Sequence, residues 1–140
     1  MTPATFLLDT SAAVPLLVAT HPAHGAVARW AAGRDLGIPA HACAETYAVL
    51  TRLPSDARFA PLDAAEVITR RFVDVVTLPD ADASTIHARF AEVGIVGGAV
   101  YDGLVALTAI VRGLPLATRD QRARPTYAAL GIQPIVLAAA

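Results

Sequence analysis

Short apolar segments alternate with segments of helical spacing along this 140-residue chain, and this alternation limits the fold more than any other feature. The apolar segments have the length of strands and occur at 5–9, 36–39, 75–79, 114–118 and 134–138. They are apolar on successive residues instead of on every second one, which is typical of strands that are buried on both faces. The pattern therefore predicts an α/β fold in which helices cover both faces of a parallel sheet.

The segments between these strands carry helical spacing together with signals for the start and end of helices. Helices are predicted at 11–19, 24–32, 41–53, 61–73, 80–94, 98–112 and 126–131. Pro61 stands near the start of its helix, and Gly94 and Gly113 follow the ends of two others, as is typical of helix boundaries. The chain length predicts a single domain over residues 1–140.

The composition excludes several classes of protein. Asp102 interrupts the longest apolar stretch, 95–111, which argues against a transmembrane helix. The N-terminus lacks the basic segment of a secretory signal. A soluble cytoplasmic protein with no membrane partner is therefore expected. All 11 cationic residues are arginine, which excludes lysine-dependent sites such as a Walker A loop, a response-regulator receiver or a haloacid-dehalogenase phosphatase. Cys43 is the only cysteine, so the chain has no disulfide framework, and the net charge of -1 gives no general argument for nucleic-acid binding.

Four acidic residues stand in unusual surroundings. Asp9 ends the first predicted strand, and Asp120 follows the strand at 114–118. In a parallel sheet the carboxyl ends of the strands form the ligand-binding edge, so both acids are expected there. Glu45 and Asp102 are isolated charges within two long uncharged stretches of predicted helix, and an unpaired carboxylate on a buried helix face needs a partner.

Each acid also has an ordinary explanation. Asp9 could cap the first helix, and Glu45 could be a solvated residue at the rim of a buried face. Asp102 could face water at one end of its helix, and Asp120 could pair with the arginines beside it. A single site for Mg²⁺ or Mn²⁺ accounts for all four acids at once, because these ions prefer hard carboxylate oxygens.

The segments that carry these acids are LLDTSA with Asp9, AETYAVLTRLP with Glu45, GGAVYDGLVALTA with Asp102, and PLATRDQRA with Thr118 and Asp120. In this order and spacing, and over essentially the whole chain, they resemble the PIN-domain ribonucleases of the VapC toxin kind. The resemblance implies a PIN-like three-layer α/β/α sandwich with a central parallel sheet of about five strands. It also implies that the four acids are the catalytic residues and bind a divalent metal, with Ser11 and Thr118 as supporting hydroxyls.

The function implied by this resemblance is that of an Mg²⁺- or Mn²⁺-dependent endoribonuclease that acts as the toxin of a toxin–antitoxin pair. Its substrate would be a structured RNA such as tRNA or rRNA, and its protein partners would be a VapB-type antitoxin and a second copy in a homodimer. The alternatives are a PIN-domain nuclease of RNA processing, and a catalytically silent module that binds RNA or a partner. Asp9 and Asp102 are expected to be the central metal ligands.

Other residues have two interpretations. The arginines near the predicted site could hold RNA phosphates, or they could form a solvated face; these are Arg112, Arg119, Arg122 and Arg124. Tyr101 and Trp30 could stack on RNA bases, although the prediction preferred here places both in the core.

Overall fold

The computed structural model describes residues 5–137. Its strands are β1 (Thr5–Leu8), β2 (Asp35–Pro39), β3 (Asp74–Val76), β4 (Leu116–Thr118) and β5 (Ile135–Val136). Its helices are α1 (Thr10–Leu17), α2 (His24–Ala31), α3 (Ala40–Leu50), α4 (Pro61–Arg71), α5 (Asp80–Ser84), α6 (Ile86–Val93), α7 (Ala99–Arg112) and α8 (Arg124–Ala129). Within residues 5–137, no helix combines the length and the apolar character that crossing a membrane requires.

The strands form one parallel sheet of five strands flanked by helices, as predicted. The order of the strands is β3-β2-β1-β4-β5. β1 is central, and it pairs Phe6 with Leu36 of β2 and Leu7 with Leu116 of β4. These strands are apolar on successive residues because both faces of the sheet are covered, and Leu7, Leu36 and Leu116 are buried. Four of the strands are shorter than predicted, whereas β2 begins one residue earlier, at Asp35. Position 138 of the last predicted strand lies outside the described residues.

Most helix boundaries agree with the sequence signals. Pro61 is the first residue of α4, and Gly94 and Gly113 end α6 and α7 in the left-handed conformation, with φ of 74° and 67°. The prediction of one helix at 80–94 was wrong, because α5 and α6 are separated at Thr85. The Thr85 hydroxyl donates to the carbonyl of Ala81 at 2.9 Å, and this bond competes with the backbone bond that a continuous helix would make.

The strand order creates a crevice at one edge of the sheet. From β1 the chain goes to β2 and β3 on one side, and β4 and β5 lie on the other side, so the order reverses between β1 and β4. Ligands of open α/β sheets bind at such a point, beyond the carboxyl ends of the strands. Asp9 lies directly after β1 at this point, and its backbone N–H donates to the carbonyl of Ala117 in β4 at 3.1 Å.

Candidate active site

A cavity of about 240 Å³ lies beyond the carboxyl ends of β1 and β4. All four acids that the sequence singled out line it, and they come from four different parts of the chain: Asp9, Glu45, Asp102 and Asp120. Thr10, Ser11, Val105 and Arg122 complete the lining. The fold therefore brings together residues that are up to 111 positions apart in the sequence, since Asp9 and Asp120 share this cavity.

Asp9 is the most enclosed of these acids, with 5% of its surface exposed. Its Oδ1 accepts hydrogen bonds from the Ser11 hydroxyl at 2.5 Å and from the Ala12 backbone N–H at 3.2 Å, so Asp9 caps α1 as predicted. Its Oδ2 accepts from the Tyr127 hydroxyl at 2.7 Å. Burial raises the pKa of Asp9, and these hydrogen bonds oppose the rise without cancelling it. Asp9 is thus a fixed carboxylate whose charge is costly in the absence of a cation.

Tyr127 is a residue of the site that sequence reasoning missed. It is fully buried in α8, and its hydroxyl reaches Asp9 across 118 positions of sequence. Burial and the negative charge of Asp9 raise the pKa of Tyr127, so the phenol stays neutral and acts as a donor. The general rule that a buried tyrosine hydroxyl needs a partner was available from the sequence, but it does not say which partner.

Ser11 and Thr118, the predicted supporting hydroxyls, link the end of β1 to the end of β4. The Ser11 hydroxyl accepts from the Arg119 backbone N–H at 2.8 Å and lies 3.3 Å from the Thr118 hydroxyl. Since Ser11 donates its hydrogen to Asp9, Thr118 is the donor between the two hydroxyls. Thr118 also accepts from the Asp120 backbone N–H at 3.0 Å. This network fixes the backbone positions from which Asp9 and Asp120 enter the cavity.

Asp102 lies in the first turn of α7 and is half-buried, so it is less enclosed than the sequence suggested. Burial raises its pKa most, and the charges of Asp120, Asp9 and Glu45 raise it further, whereas Arg122 acts in the opposite direction. No described residue donates a hydrogen bond to this carboxylate. Asp102 therefore carries the clearest sign of mutual repulsion among the acids.

Glu45 and Asp120 each contact a basic residue of their own segment. Glu45 has a side chain that is 47% exposed, as predicted for a rim residue, and its Oε1 lies 2.7 Å from Nε2 of His41. Asp120 accepts from the Arg122 backbone N–H at 2.9 Å, and Nε of Arg122 lies 3.5 Å from the same oxygen. Both side chains are at the surface of the site and are tied down by contacts within their own segment.

The donor set suits a hard divalent cation, since carboxylate oxygens dominate the polar lining and repel one another. Across residues 5–137, however, no three side chains of His, Cys, Asp or Glu converge tightly enough to ligate one ion as they stand. Glu45 contacts His41, and Asp120 accepts from the backbone of Arg122, so both carboxylates have partners within their own segments. Both acids are accessible enough to rotate toward an ion, or to reach one through water, so the residues fit a metal without presenting a finished coordination shell.

The predicted arginines occupy different places. Arg122 lines the cavity, and Arg119 contributes its backbone N–H to the network while its side chain is half-buried. Arg124 lines a separate depression near Pro125. Arg112 lies at the far end of α7 from Asp102, where its Nε donates to the carbonyl of Thr77 at 2.8 Å. The fold thus brings Arg122 to the acids and leaves Arg112 and Arg124 outside the cavity, and the RNA-binding roles of all four arginines stay predictions.

The two aromatic residues considered for RNA stacking have different surroundings. Trp30 packs edge-to-face on Phe6, with ring centroids 5.6 Å apart, and lies against the main core, as predicted. The prediction that Tyr101 is a core residue was wrong, because it is 55% exposed and stacks on His41. Helical spacing could not reveal this, because the buried residues of α7 begin only at Gly103, after its first turn.

Comparison with known proteins gives a consistent assignment. The PIN-domain family matches residues 6–128. Ribonuclease VapC27 of Mycobacterium tuberculosis is 50% identical over 131 residues, which cover 94% of this chain and 96% of that protein. Ribonuclease VapC40 of the same species is 37% identical over 129 residues, or 89% of this chain and 93% of the relative.

A solved structure agrees at the level of the fold. The crystal structure of Mycobacterium tuberculosis VapC20, described as a Sarcin-Ricin loop cleaving toxin, has a TM-score of 0.67 with 19% sequence identity. The match covers 93% of this chain and 98% of that one. The chain therefore belongs to the PIN-domain family and, within it, to the VapC ribonucleases.

Proposed function

We propose that this VapC-family ribonuclease is an Mg²⁺- or Mn²⁺-dependent endonuclease that acts as the toxin of a toxin–antitoxin pair and cuts a structured RNA. One observation carries the proposal: four carboxylates from four separate segments line one cavity at the reversal point of the sheet. The raised pKa values of Asp9 and Asp102 mean that their charged forms are disfavoured in the folded protein. A purely structural role gives no reason to keep two such acids in one cavity. Carboxyl groups that share a cleft and have perturbed pKa values are typical of functional sites.

Asp9 and Asp102 are the proposed central ligands. Asp9 is positioned by hydrogen bonds from Ser11, Ala12 and Tyr127, which leave little freedom to its carboxylate. Asp102 accepts no hydrogen bond from a described residue, so both of its oxygens remain available. Glu45 and Asp120 complete the site, directly or through water.

The chemistry follows from the charge of this site. When bound, a divalent ion supplies an activated water and neutralises charge on the phosphate that is attacked. The protein's own contribution is to hold ionised carboxylates in place, through the Ser11 and Thr118 network, and to keep Arg122 at the same cavity for a phosphate oxygen. Without a cation the acidic lining repels RNA, so the proposed site binds its substrate only when metal is present.

The biological partners are part of the same proposal. The relatives are named as VapC ribonucleases, and this supports a VapB-type antitoxin as the partner that silences the enzyme. A homodimeric assembly belongs to the same proposal. VapC20 is described as cleaving the Sarcin-Ricin loop, so this ribosomal RNA loop belongs among the substrates to be tested, beside tRNA.

The test is cleavage of total cellular RNA by the purified protein with Mg²⁺ or Mn²⁺, followed by sequencing of the new RNA ends. Matched reactions contain EDTA, Asp102→Asn, or the control variant Glu92→Gln, which removes an exposed acid of α6 outside the cavity. Discrete cuts are expected with the wild type and Glu92→Gln, and they are expected to be absent with EDTA and with Asp102→Asn.

Two results would contradict the proposal. Cuts that persist at the same positions with Asp102→Asn would come from another site or from a contaminating nuclease. A wild-type protein that binds the metal but cuts no RNA, including isolated tRNA and rRNA, would favour a module that binds RNA or a partner without cleaving it.

A further inference from the structure

His41 and Tyr101 form a stacked aromatic pair, and the stacking itself has no role in the site described above. Their ring centroids are 5.3 Å apart and the ring planes differ by 10°, so the rings are nearly parallel. His41 belongs to the first turns of α3, and Tyr101 belongs to the first turn of α7. The pair therefore connects the two helices that carry Glu45 and Asp102.

The pair lies at the rim of the acidic cavity. Nε2 of His41 contacts Oε1 of Glu45 at 2.7 Å, and Tyr101 directly precedes Asp102 in α7. Both acids line the cavity. A group bound on this aromatic pair would thus lie beside the proposed metal ligands rather than at a remote surface.

Tyr101 offers the open surface of the pair. One face of its ring is covered by His41, yet 55% of the residue is exposed, whereas the His41 side chain is 29% exposed. The backbone before it also lies open, since a β-carbon placed on Gly97 or Gly98 would meet no heavy atom within 4 Å. His41 stacks against the Tyr101 ring and leaves the other face of that ring for a ligand.

We propose that the outer face of Tyr101, backed by His41, is a stacking platform for an unpaired nucleobase of the RNA. This inference rests on the proposed function and adds a binding subsite next to the phosphate that is cut. Aromatic side chains bind the flat faces of unstacked bases in this way in many proteins that recognise single-stranded RNA. A tyrosine side chain has only two torsion angles, so it loses little conformational entropy when the base arrives.

The charge of the rim favours a base over other groups. Glu45 and Asp102 repel a phosphate that approaches without a cation, but an uncharged base can lie against the ring beside them. An RNA strand would thus place its phosphate at the acids, through the bound metal, and its neighbouring base on Tyr101. The platform would favour substrates in which that base is unpaired, such as a loop.

The test is a binding measurement with two probes: a short oligoadenylate, and a ribose–phosphate oligomer of the same length without bases. Ca²⁺ replaces Mg²⁺ to occupy the carboxylates, and gels run afterwards verify that the probe is intact. Tyr101→Ala is expected to lower the affinity for oligoadenylate by about 5- to 140-fold, the range of base–aromatic stacking, and to leave the affinity for the abasic probe unchanged. Tyr101→Phe is expected to bind both probes like the wild type.

Tyr47→Ala is the matched control. Tyr47 is also an exposed tyrosine, but it lies in α3 and lines an apolar groove with Cys43 and Ile68. It is expected to leave the preference for bases intact. The substitution in the protein and the removal of the bases from the probe form a thermodynamic cycle of the double-mutant type. This cycle separates stacking from a general effect on folding or on phosphate binding.

The platform is refuted if Tyr101→Ala lowers the affinity for both probes equally, or for neither. Metal-dependent cleavage of total RNA by the same wild-type preparation separates this inference from the proposed function. If the wild type cleaves RNA but shows no dependence on bases at Tyr101, only the platform fails. If it neither cleaves RNA nor prefers the oligoadenylate, both fail.

Discussion

Replacing Asp102 with asparagine is expected to stabilise the metal-free protein while abolishing its activity. Burial and three neighbouring acids raise the pKa of Asp102 above its ordinary value of 3.8, so the folded protein holds a proton more readily than the unfolded chain. The free energy of unfolding therefore falls as the pH rises from the unfolded to the folded pKa, and the full penalty is present at neutral pH. Asparagine keeps the shape of the side chain and removes this penalty.

The expected gain is modest because Asp102 is only half-buried. Partly exposed charge pairs contribute roughly 0.2 to 1 kcal/mol each after screening by solvent. Asp120, Asp9 and Glu45 act against Asp102, and Arg122 offsets part of their effect. A net gain of about 1 kcal/mol follows from these terms, and it corresponds to a rise in Tm of about 3 °C for a chain of this length.

Thermal unfolding in EDTA, measured at several pH values, tests this expectation. The difference between Asp102→Asn and the wild type should grow as the pH rises above 3.8, the ordinary pKa of the carboxyl group, and should become constant above the raised pKa of the folded protein. It should shrink at high salt because the repulsion is screened. Glu92→Gln, at an exposed position of α6, controls for the loss of one negative charge. Addition of Mg²⁺ should raise the Tm of the wild type more than that of Asp102→Asn, because only the intact site binds the ion well.

Two outcomes would refute this reasoning. A lower Tm for Asp102→Asn in EDTA would mean that the carboxylate is favourably paired in the folded protein, contrary to the repulsion inferred from its surroundings. An equal rise in Tm with Mg²⁺ for both proteins would mean that Asp102 is not a ligand, and the proposed metal site would then have to be assigned to other residues.

Three further perturbations have clear expected results. Tyr127→Phe removes a hydrogen-bond donor from the buried carboxylate of Asp9, so it should lower the free energy of unfolding by about 1 to 3 kcal/mol in urea titrations. It should also weaken Mg²⁺ binding, as measured by calorimetry. Unchanged values would show that this hydrogen bond is dispensable. The rate of RNA cleavage should rise with pH through the raised pKa values of Asp9 and Asp102, because the ionised forms bind the metal, and a flat profile would contradict this. Gly103→Ala would place a β-carbon 2.8 Å from Cζ of Phe90, so the free energy of unfolding should fall by about 1 to 3 kcal/mol in urea titrations. A variant as stable as the wild type would show that Phe90 can move away.

The sheet could be predicted from the sequence because burial on both faces leaves a direct trace in strands such as β1 and β4. The order of the strands leaves no such trace, since it depends on which strands meet after the helices have packed. The break at Thr85 was missed for a local reason: a hydroxyl that bonds back to the carbonyl of Ala81 looks in sequence like any polar residue on a helix surface.

The four acids could be predicted because each is conspicuous in its own segment, as Asp102 is within an apolar helix. Their supporting residues were less visible. Tyr127 is inconspicuous in α8, and its significance comes entirely from a hydrogen bond to a residue at the other end of the chain. The sequence leaves the place of Tyr101 open and gives His41 no distinguishing feature, and only the packing of α3 against α7 brings their rings together.

The site combines a rigid part with an adjustable part, and this division follows from burial. Asp9 is enclosed and accepts three hydrogen bonds, so its position is set when the protein folds. Glu45 and Asp120 are held only by His41 and Arg122 at the surface, and these contacts can be exchanged for a cation at little cost. In the proposed metal site, a fixed ligand would lower the entropy lost on metal binding, and mobile ligands would spare the metal-free protein from gathering four negative charges at one point. The separation of the carboxylates is therefore what the electrostatics of a metal-free acidic site requires, and metal binding should draw Glu45 and Asp120 inward while Asp9 stays in place.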